Sequence, residues 1–63
     1  MVILGIDPGL ANTGWGIVES RGSQCRARAY GCIHTEKSQG MPHRLKTIHD
    51  EIAAVIARYS PQE

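Results

Sequence analysis

The first residues of the chain form an apolar run that ends on an acid. Residues 2–6 contain four aliphatic side chains and one glycine, and Asp7 follows them directly. A nearly continuous apolar run of this length is typical of a β-strand buried on both faces. Pro8 and Gly9 then favour a tight turn. The pattern therefore predicts a buried strand that carries a single carboxylate at its end.

Two further segments alternate between apolar and polar side chains, as strands do. Residues 13–19 place Trp15, Ile17 and Glu19 on one face and two glycines with a valine on the other. Residues 25–35 form the next such segment, after a turn near Gly22. One of its faces carries Ala27, Ala29, Gly31, Ile33 and Thr35, and the other carries Arg26, Arg28, Tyr30, Cys32 and His34. Together the three segments predict an antiparallel meander.

The period changes after the polar loop at residues 36–40, and an amphipathic helix is predicted. Apolar residues recur at three- and four-residue steps, namely Leu45, Ile48, Ile52, Val55, Ile56 and Tyr59. Pro42 suits the first helical turn, and Pro61 disfavours helical geometry at Ser60, so the helix is expected to end near Tyr59. Such a helix is expected to lead into another strand, so the apolar stripe should stay partly uncovered and favour self-association.

Length and charge limit what the chain does alone. The chain has 63 residues and a formal net charge of +1. A domain this small buries only about 60% of the surface that its unfolded chain exposes, so its independent stability is expected to be marginal. The total charge makes no strong case for nucleic-acid binding. Two groups of basic residues are expected to be solvated faces: Arg21, Arg26 and Arg28, and then Lys37, Arg44 and Lys46.

The thiols and histidines are expected to be packing and surface residues. Cys25 and Cys32 differ by an odd number of positions, which would point them to opposite faces of one strand and argues against a disulfide. A reducing compartment is therefore expected. A zinc site at Cys32 and His34 with His43 or His49 lacks the usual ligand spacing and is not expected. Without a leader or a membrane-length apolar run, the chain is expected to be cytoplasmic, with no membrane contact.

Asp7 admits two interpretations. An Asp before Pro-Gly is ordinary turn chemistry, and its side chain often caps such a turn. An acid that follows a buried apolar strand, however, must be desolvated, paired or bound to a cation. Carboxylate oxygens are the ligands that Mg²⁺ prefers. A divalent metal is therefore expected near Asp7, although one carboxylate alone would not hold it.

Several segments, in a fixed order along nearly the whole chain, carry a family resemblance. They are Ile3-Leu-Gly-Ile-Asp-Pro-Gly9, Thr13-Gly-Trp-Gly-Ile17, Tyr30-Gly-Cys-Ile-His-Thr35, the helix with Arg44-Leu45, and Tyr59-Ser-Pro61. In this order they resemble the N-terminal part of RuvC-type Holliday-junction resolvases, which are crossover-junction endodeoxyribonucleases. The resemblance implies an α/β, RNase H-like fold. Residues 1–63 would be the N-terminal portion of a single nuclease domain, a three-stranded antiparallel meander followed by one amphipathic helix.

The same resemblance implies a chemistry. The parent protein would hydrolyse phosphodiesters at four-way junction DNA, in recombination and repair, with two divalent metals, normally Mg²⁺, held by four carboxylates. Asp7 matches the first of these acids and would be both catalytic and metal-binding. The other three acids would follow residue 63, so the fragment itself is expected to be inactive. Glu63 is not expected to be a ligand, because it would stand at the start of the next strand rather than within it.

Partners follow from the resemblance as well. The whole protein would work as a homodimer and alongside a branch-migration helicase complex. Two alternatives remain open. One is an actin-like or Hsp70-like nucleotide-binding domain, although Leu10 and Ala11 stand where those loops usually carry Thr or Ser after the glycine. The other is a YqgF-type relative that acts on nucleic acid without resolvase activity.

Overall fold

The computed structural model describes all residues, 1–63, and contains one sheet and one helix. The strands are β1 (Val2–Asp7), β2 (Asn12–Arg21) and β3 (Gln24–His34), and the helix is α1 (Met41–Tyr59). The sheet order is β1-β2-β3, and both neighbouring pairs are antiparallel. The predicted meander and helix are confirmed, with boundaries that differ from the expected ones by one or two residues.

The β2–β3 hairpin contains an irregularity that alternation alone did not predict. Its two-residue turn has Gly22 at a φ of +59°, which only glycine adopts without strain. Further along, Ile17 pairs with Ala29 but Val18 pairs with Ala27, so Arg28 has no partner on β2. This bulge reverses the facing of all β3 residues that precede it. The prediction that Ala27 and Ala29 share a face is therefore wrong.

The bulge also changes the relation between the two thiols. Cys25 lies opposite Ser20 and Cys32 lies opposite Gly14. Because Ser20 and Gly14 are an even number of residues apart on β2, the two cysteines share a face, and the expectation of opposite faces is wrong. Both are free and exposed. Six residue steps of β2, about 20 Å at the usual rise, keep them too far apart to bond.

Helix α1 packs on one face of the sheet. The core consists of Ile17 and Ile33 from the sheet and Val55 from the helix, all buried. At the C-terminal end of α1, the Tyr59 ring lies 6.2 Å from the Trp15 ring, centroid to centroid, at an interplanar angle of 42°. Tilted aromatic pairs at this distance add to the stability that their burial provides. The aromatic pair therefore anchors the end of the helix on the centre of β2.

Part of the predicted apolar stripe is uncovered, as expected. Leu45 is 55% exposed and Ile56 is 46% exposed, while Ile48 and Ile52 are half-buried. The helix therefore turns a second apolar face away from this sheet. Moreover, α1 lacks the combination of length and apolar character that crossing a bilayer requires.

Strand β1 is not buried on both faces, which corrects the first prediction. Val2, Ile3 and Leu4 are half-buried, but Ile6 is 48% exposed and Asp7 is exposed. The reason is that α1 covers a single face of the sheet, and on that face it leaves Ile6, the cross-strand partner of Trp15, uncovered. An apolar run therefore indicated a strand correctly but overstated how much of it is covered.

The chain after α1 returns to the free edge of β1. Ser60 takes a left-handed conformation, with φ 48° and ψ 54°, and its amide donates to the Ile56 carbonyl. Glu63 then donates from its amide to the Val2 carbonyl at 3.5 Å and accepts from the Leu4 amide at 2.7 Å. Bonding to two residues that flank one partner position is the parallel pattern. Residues 62–63 thus pair with the free edge of β1 in the direction that a further parallel strand would take, and Glu63 lies opposite Ile3.

Gly31 tests how tightly the indole is packed. A Cβ at Gly31 would stand 2.8 Å from the Trp15 ring, whereas a Cβ at Gly5 would meet nothing within 4 Å. We expect Gly31→Ala to displace Trp15 from Tyr59 and lower the free energy of unfolding by about 1–3 kcal/mol. Gly5→Ala is the matched control and should change stability by less than about 1 kcal/mol. Urea denaturation followed by Trp fluorescence measures both, and equal effects of the two variants would contradict this packing.

Candidate active site

The sheet face opposite α1 is bare around Asp7. Cross-strand partners share a face, so Asp7, Gly14 and Cys32 form one row across the three strands. The adjacent row contains Gly5, Gly16 and Tyr30, whose side chain is exposed. We call these six residues the open face. A Cβ at Gly14 would sit 3.6 Å from the Asp7 Cβ, so no side chain shields the carboxylate from this side.

The Asp7 carboxylate is exposed and makes no hydrogen bond or ion pair with any residue of the chain. Of the three alternatives expected for Asp7, desolvation and pairing do not occur within residues 1–63, because β1 is open at this end, and binding of a cation stays a prediction. Asp7 does not cap its own turn either. The acid is consequently free to bind a ligand, and a carboxylate oxygen suits a hard divalent cation.

Hydrogen bonds fix the turn that follows Asp7. The Thr13 hydroxyl donates to the Gly9 carbonyl at 2.7 Å and closes the turn from the β2 side. A Cβ at Gly9 would stand 2.5 Å from the Asn12 carbonyl oxygen, so the turn requires glycine. The turn is therefore compact, and the bond that closes it fixes the position of Asp7 at the end of β1.

The end of β3 holds the same turn from the other side. The Thr35 amide donates to the Ala11 carbonyl at 3.0 Å, and the Thr35 hydroxyl donates to the Leu10 carbonyl at 2.5 Å. Thr35 is almost fully buried. These two bonds explain why a polar residue is buried directly after β3, in line with its apolar face.

Arg44 extends from the helix toward this turn and contacts Thr35, which the sequence pattern did not predict. It was expected on a solvated basic face, but it is only 8% exposed, and its Nε donates to the Thr35 Oγ1 at 2.9 Å. One sequence signal was available: Arg44 stands four residues before Ile48, in line with the half-buried Ile48 and the buried Val55. A charged residue in such a line indicates a buried polar contact.

A second polar cluster lies at the edge of the open face. The His34 ring contacts Asn12 Oδ1 through Nδ1 at 3.0 Å and Glu36 Oε1 through Nε2 at 2.8 Å. The Cys32 thiol donates weakly to the same Asn12 oxygen at 3.8 Å. These contacts join the start of β2 to the end of β3 and occupy the side chains that a zinc site would use.

The other titratable residues do not converge on Asp7. Nowhere in the chain do three or more His, Cys, Asp or Glu side chains form a cluster able to hold a metal ion. Glu63 lies opposite Ile3, four residues of β1 away from Asp7, which is about 13 Å at the usual rise. The two acids are therefore too far apart to share one ion. Asp7 alone fits a metal as one ligand, with the other ligands to come from elsewhere.

The remaining charges sit on exposed surfaces. Arg21 and Arg28 are exposed, as predicted, and both contact Glu19, at 3.5 Å and 2.8 Å, which was not predicted. On α1, a hydrogen bond from Lys46 lowers the pKa of Asp50, with a smaller contribution from His49. Asp50 is fully exposed, and the perturbation concerns the helix surface rather than the open face.

Both the sequence and the fold are similar to those of known proteins. The family model described as crossover junction endodeoxyribonuclease RuvC matches residues 3–63. The RuvC of Beijerinckia indica is 51% identical over 61 residues, which are 97% of this chain and 35% of that protein. The RuvC of Nitrosomonas eutropha is also 51% identical over 61 residues, covering 97% of this chain and 34% of that protein. The chain thus spans about a third of the length of the curated relatives it matches.

Solved structures agree with this assignment. Thermus thermophilus RuvC in complex with a Holliday junction substrate superimposes with a TM-score of 0.92 at 30% identity, covering 98% of this chain and 38% of that chain. A second structure, described as Thermus thermophilus RuvC, superimposes with a TM-score of 0.88 at 31% identity, covering 98% of this chain and 39% of that chain. The three antiparallel strands and the helix are therefore the opening elements of an RNase H-like fold. The chain belongs to the family of crossover junction endodeoxyribonucleases described as RuvC.

Proposed function

We propose that residues 1–63 are the N-terminal part of a nuclease domain whose whole protein resolves four-way DNA junctions by metal-dependent phosphodiester hydrolysis. The observation that carries this proposal is the Asp7 carboxylate, which is exposed and unpaired at the end of β1, beside a glycine on the neighbouring strand. Family membership over residues 3–63 supports it. Neither a nucleotide-binding domain of the actin type nor a YqgF-type relative is favoured by the family match.

In this proposal Asp7 is a ligand of a divalent metal, normally Mg²⁺. Metal ions held there would supply activation of the attacking water and stabilisation of the leaving oxygen. The chain's own contribution is positional. The closed turn behind Asp7 holds the carboxylate in place, and the glycines of the open face let the sugar-phosphate backbone approach closely.

The register between residues 62–63 and β1 indicates where a second metal-binding carboxylate would stand in the whole protein. Glu63 lies opposite Ile3 on the parallel edge of β1, so the residue four positions after Glu63 would lie opposite Asp7. We propose that a second metal-binding acid stands at or next to that position in the whole protein. Such an acid would be within a strand spacing of about 4.8 Å of Asp7, which suits two carboxylates that share an ion.

The partners proposed for the whole protein follow from the family. A relative of known structure is described in complex with a Holliday junction substrate, and four-way junction DNA is the substrate we propose here. We further propose that the whole protein acts as a homodimer in the cytoplasm, alongside a branch-migration helicase complex. Two equivalent copies would let the two strands of a symmetric junction be cut in concert.

Removing the Asp7 charge should separate cleavage from binding. In the whole protein, Asp7→Asn should lower junction cleavage by at least about a hundredfold, because metal ions supply several kcal/mol of transition-state stabilisation. Binding to a synthetic four-way junction should stay within about threefold, since phosphate contacts fix the protein on DNA. Glu51→Gln, on the exposed surface of α1, is the control that removes one carboxylate elsewhere. Near-normal cleavage by Asp7→Asn, or a joint loss of binding and cleavage, would assign Asp7 a structural role.

Residues 1–63 alone should neither cleave junctions nor bind Mg²⁺ tightly. A single aspartate leaves most of the coordination shell of the ion to water, so we expect a dissociation constant in the millimolar range or weaker. Titration calorimetry with Mg²⁺ and incubation with a labelled junction measure the two properties. Specific nicking by the purified 63-residue chain, retained in Glu51→Gln and lost in Asp7→Asn, would show that the one carboxylate suffices.

A further inference from the structure

Arg44 is a nearly buried cation whose charge has no counterion in the chain. Its side chain is more than nine-tenths buried, and its Nε donates to Thr35 Oγ1. No protein atom accepts a hydrogen bond from its two terminal nitrogens, and Arg44 takes part in none of the ion pairs of the chain. Every fully buried side-chain nitrogen or oxygen has a partner, so these terminal nitrogens reach the surface. The guanidinium is therefore fixed through its Nε, while its two terminal nitrogens remain free to donate hydrogen bonds.

An arrangement of this kind favours an anion physically. Burying a charge is costly unless the charge is paired and hydrogen-bonded. A guanidinium offers parallel N–H groups that match two oxygens of a phosphate or carboxylate, and bonds to charged acceptors are stronger than neutral ones. Because Thr35 fixes Nε, little side-chain entropy remains to be lost when an anion binds. Arg44 is thus organised in advance for a bidentate oxygen ligand.

The amino end of α1 supplies a second, independent feature. Its N-cap residue is Gly40, which makes no side-chain capping bond, and the first turn contains no acidic residue. The backbone amides of Met41 and His43 have no intrahelical acceptor at these positions, and Pro42 has no amide hydrogen. Uncapped amides and the positive end of the helix dipole attract anions. Arg44 stands four residues after the N-cap, and its amide donates to the Gly40 carbonyl.

We propose that Arg44 and the amino end of α1 bind a backbone phosphate of DNA, at a position separate from the phosphate that is cleaved. Two hydrogen bonds connect this site to the candidate active site, from Arg44 Nε to Thr35 and from the Thr35 hydroxyl to the Leu10 carbonyl. A phosphate held there would fix the strand relative to the turn that carries Asp7. The DNA part of this inference rests on the proposed function, whereas the anion site rests on the geometry alone.

A carboxylate from another part of the whole protein is the competing source of oxygen ligands. The phosphate is favoured because two donor systems, the guanidinium fork and the helix amides, belong to the same first turn of α1, and side chains of a helix lean toward its amino end. A tetrahedral phosphate with several charged oxygens can use both. A carboxylate with two oxygens in one plane would satisfy Arg44 and leave the helix end without a cap. The two sources differ in their effect on salt dependence and on stability, which makes them separable.

The salt dependence of DNA binding distinguishes these sources. Junction and plain duplex binding are measured in the whole protein across a range of salt concentrations, with Asp7→Asn present in every variant to prevent cleavage. Arg44→Gln should weaken binding about tenfold and reduce the slope of log affinity against log salt by about one, as expected for one lost phosphate contact. Arg44→Lys should keep most of the slope, because it keeps the charge, but should bind more weakly because it lacks the fork. Arg58→Gln, at the exposed far end of α1, is the control and should leave both values unchanged.

A measurement on the unsubstituted protein keeps the proposal testable if Arg44→Gln does not fold. The side-chain ¹⁵N resonances of Arg44 should shift on titration with dimethyl phosphate or inorganic phosphate, while those of Arg58 should not. No shift, or an unchanged salt slope combined with a large fall in melting temperature for Arg44→Gln, would overturn the proposal and assign a carboxylate of the protein as the partner. Since neither assay involves cleavage, failure of the Asp7→Asn prediction would refute the nuclease mechanism without touching this site.

Discussion

The closed turn between β1 and β2 is the constraint on which the rest of this structure depends. Two threonines close it, Thr13 through the Gly9 carbonyl and Thr35 through the Leu10 carbonyl, and Gly9 is small enough to let the chain fold back on Asn12. Both threonines are nearly fully buried. A buried hydroxyl without a partner would cost free energy, so each bond both satisfies the side chain and fixes the backbone. The position of Asp7 follows from that closure.

Thr35 also connects the turn to the helix, because its Oγ1 accepts from Arg44 while its hydroxyl donates to Leu10. The two ends of α1 are therefore attached by different means. Polar bonds hold the amino end beside the turn, and the aromatic pair of Trp15 and Tyr59 holds the carboxyl end over β2. The helix thereby spans the sheet from the candidate active site to the centre of the meander, which places its uncovered residues, Leu45 and Ile56, on the side facing away.

The order and type of all four elements could be predicted from the sequence. The first strand is a nearly continuous apolar run, the next two alternate with a period of two, and the helix repeats every three to four residues. Two kinds of feature could not be predicted. The bulge at Arg28 carries no special residue, so alternation was extended through it and Ala27 and Cys25 were assigned to the wrong face. Burial depends on what covers an element, and a local pattern does not contain that information. For this reason β1 was expected to be buried on both faces although its end at Asp7 is exposed, and Arg44 was expected to be solvated although it is buried.

The two edges of β1 form hydrogen bonds with segments at very different distances along the chain, and the outer edge does so only at Val2 and Leu4. On one edge β2 follows after a four-residue connection, and on the other the Gln62 side chain accepts from the Val2 amide across 60 positions. Local hairpins form quickly, whereas a parallel pairing must wait for its crossover helix. During synthesis the outer edge of β1 therefore stays unpaired until the helix has emerged, and an unpaired strand edge is the surface on which chains aggregate. Strand β1, which ends in Asp7, thus pairs early along the edge that faces β2 and late along its other edge.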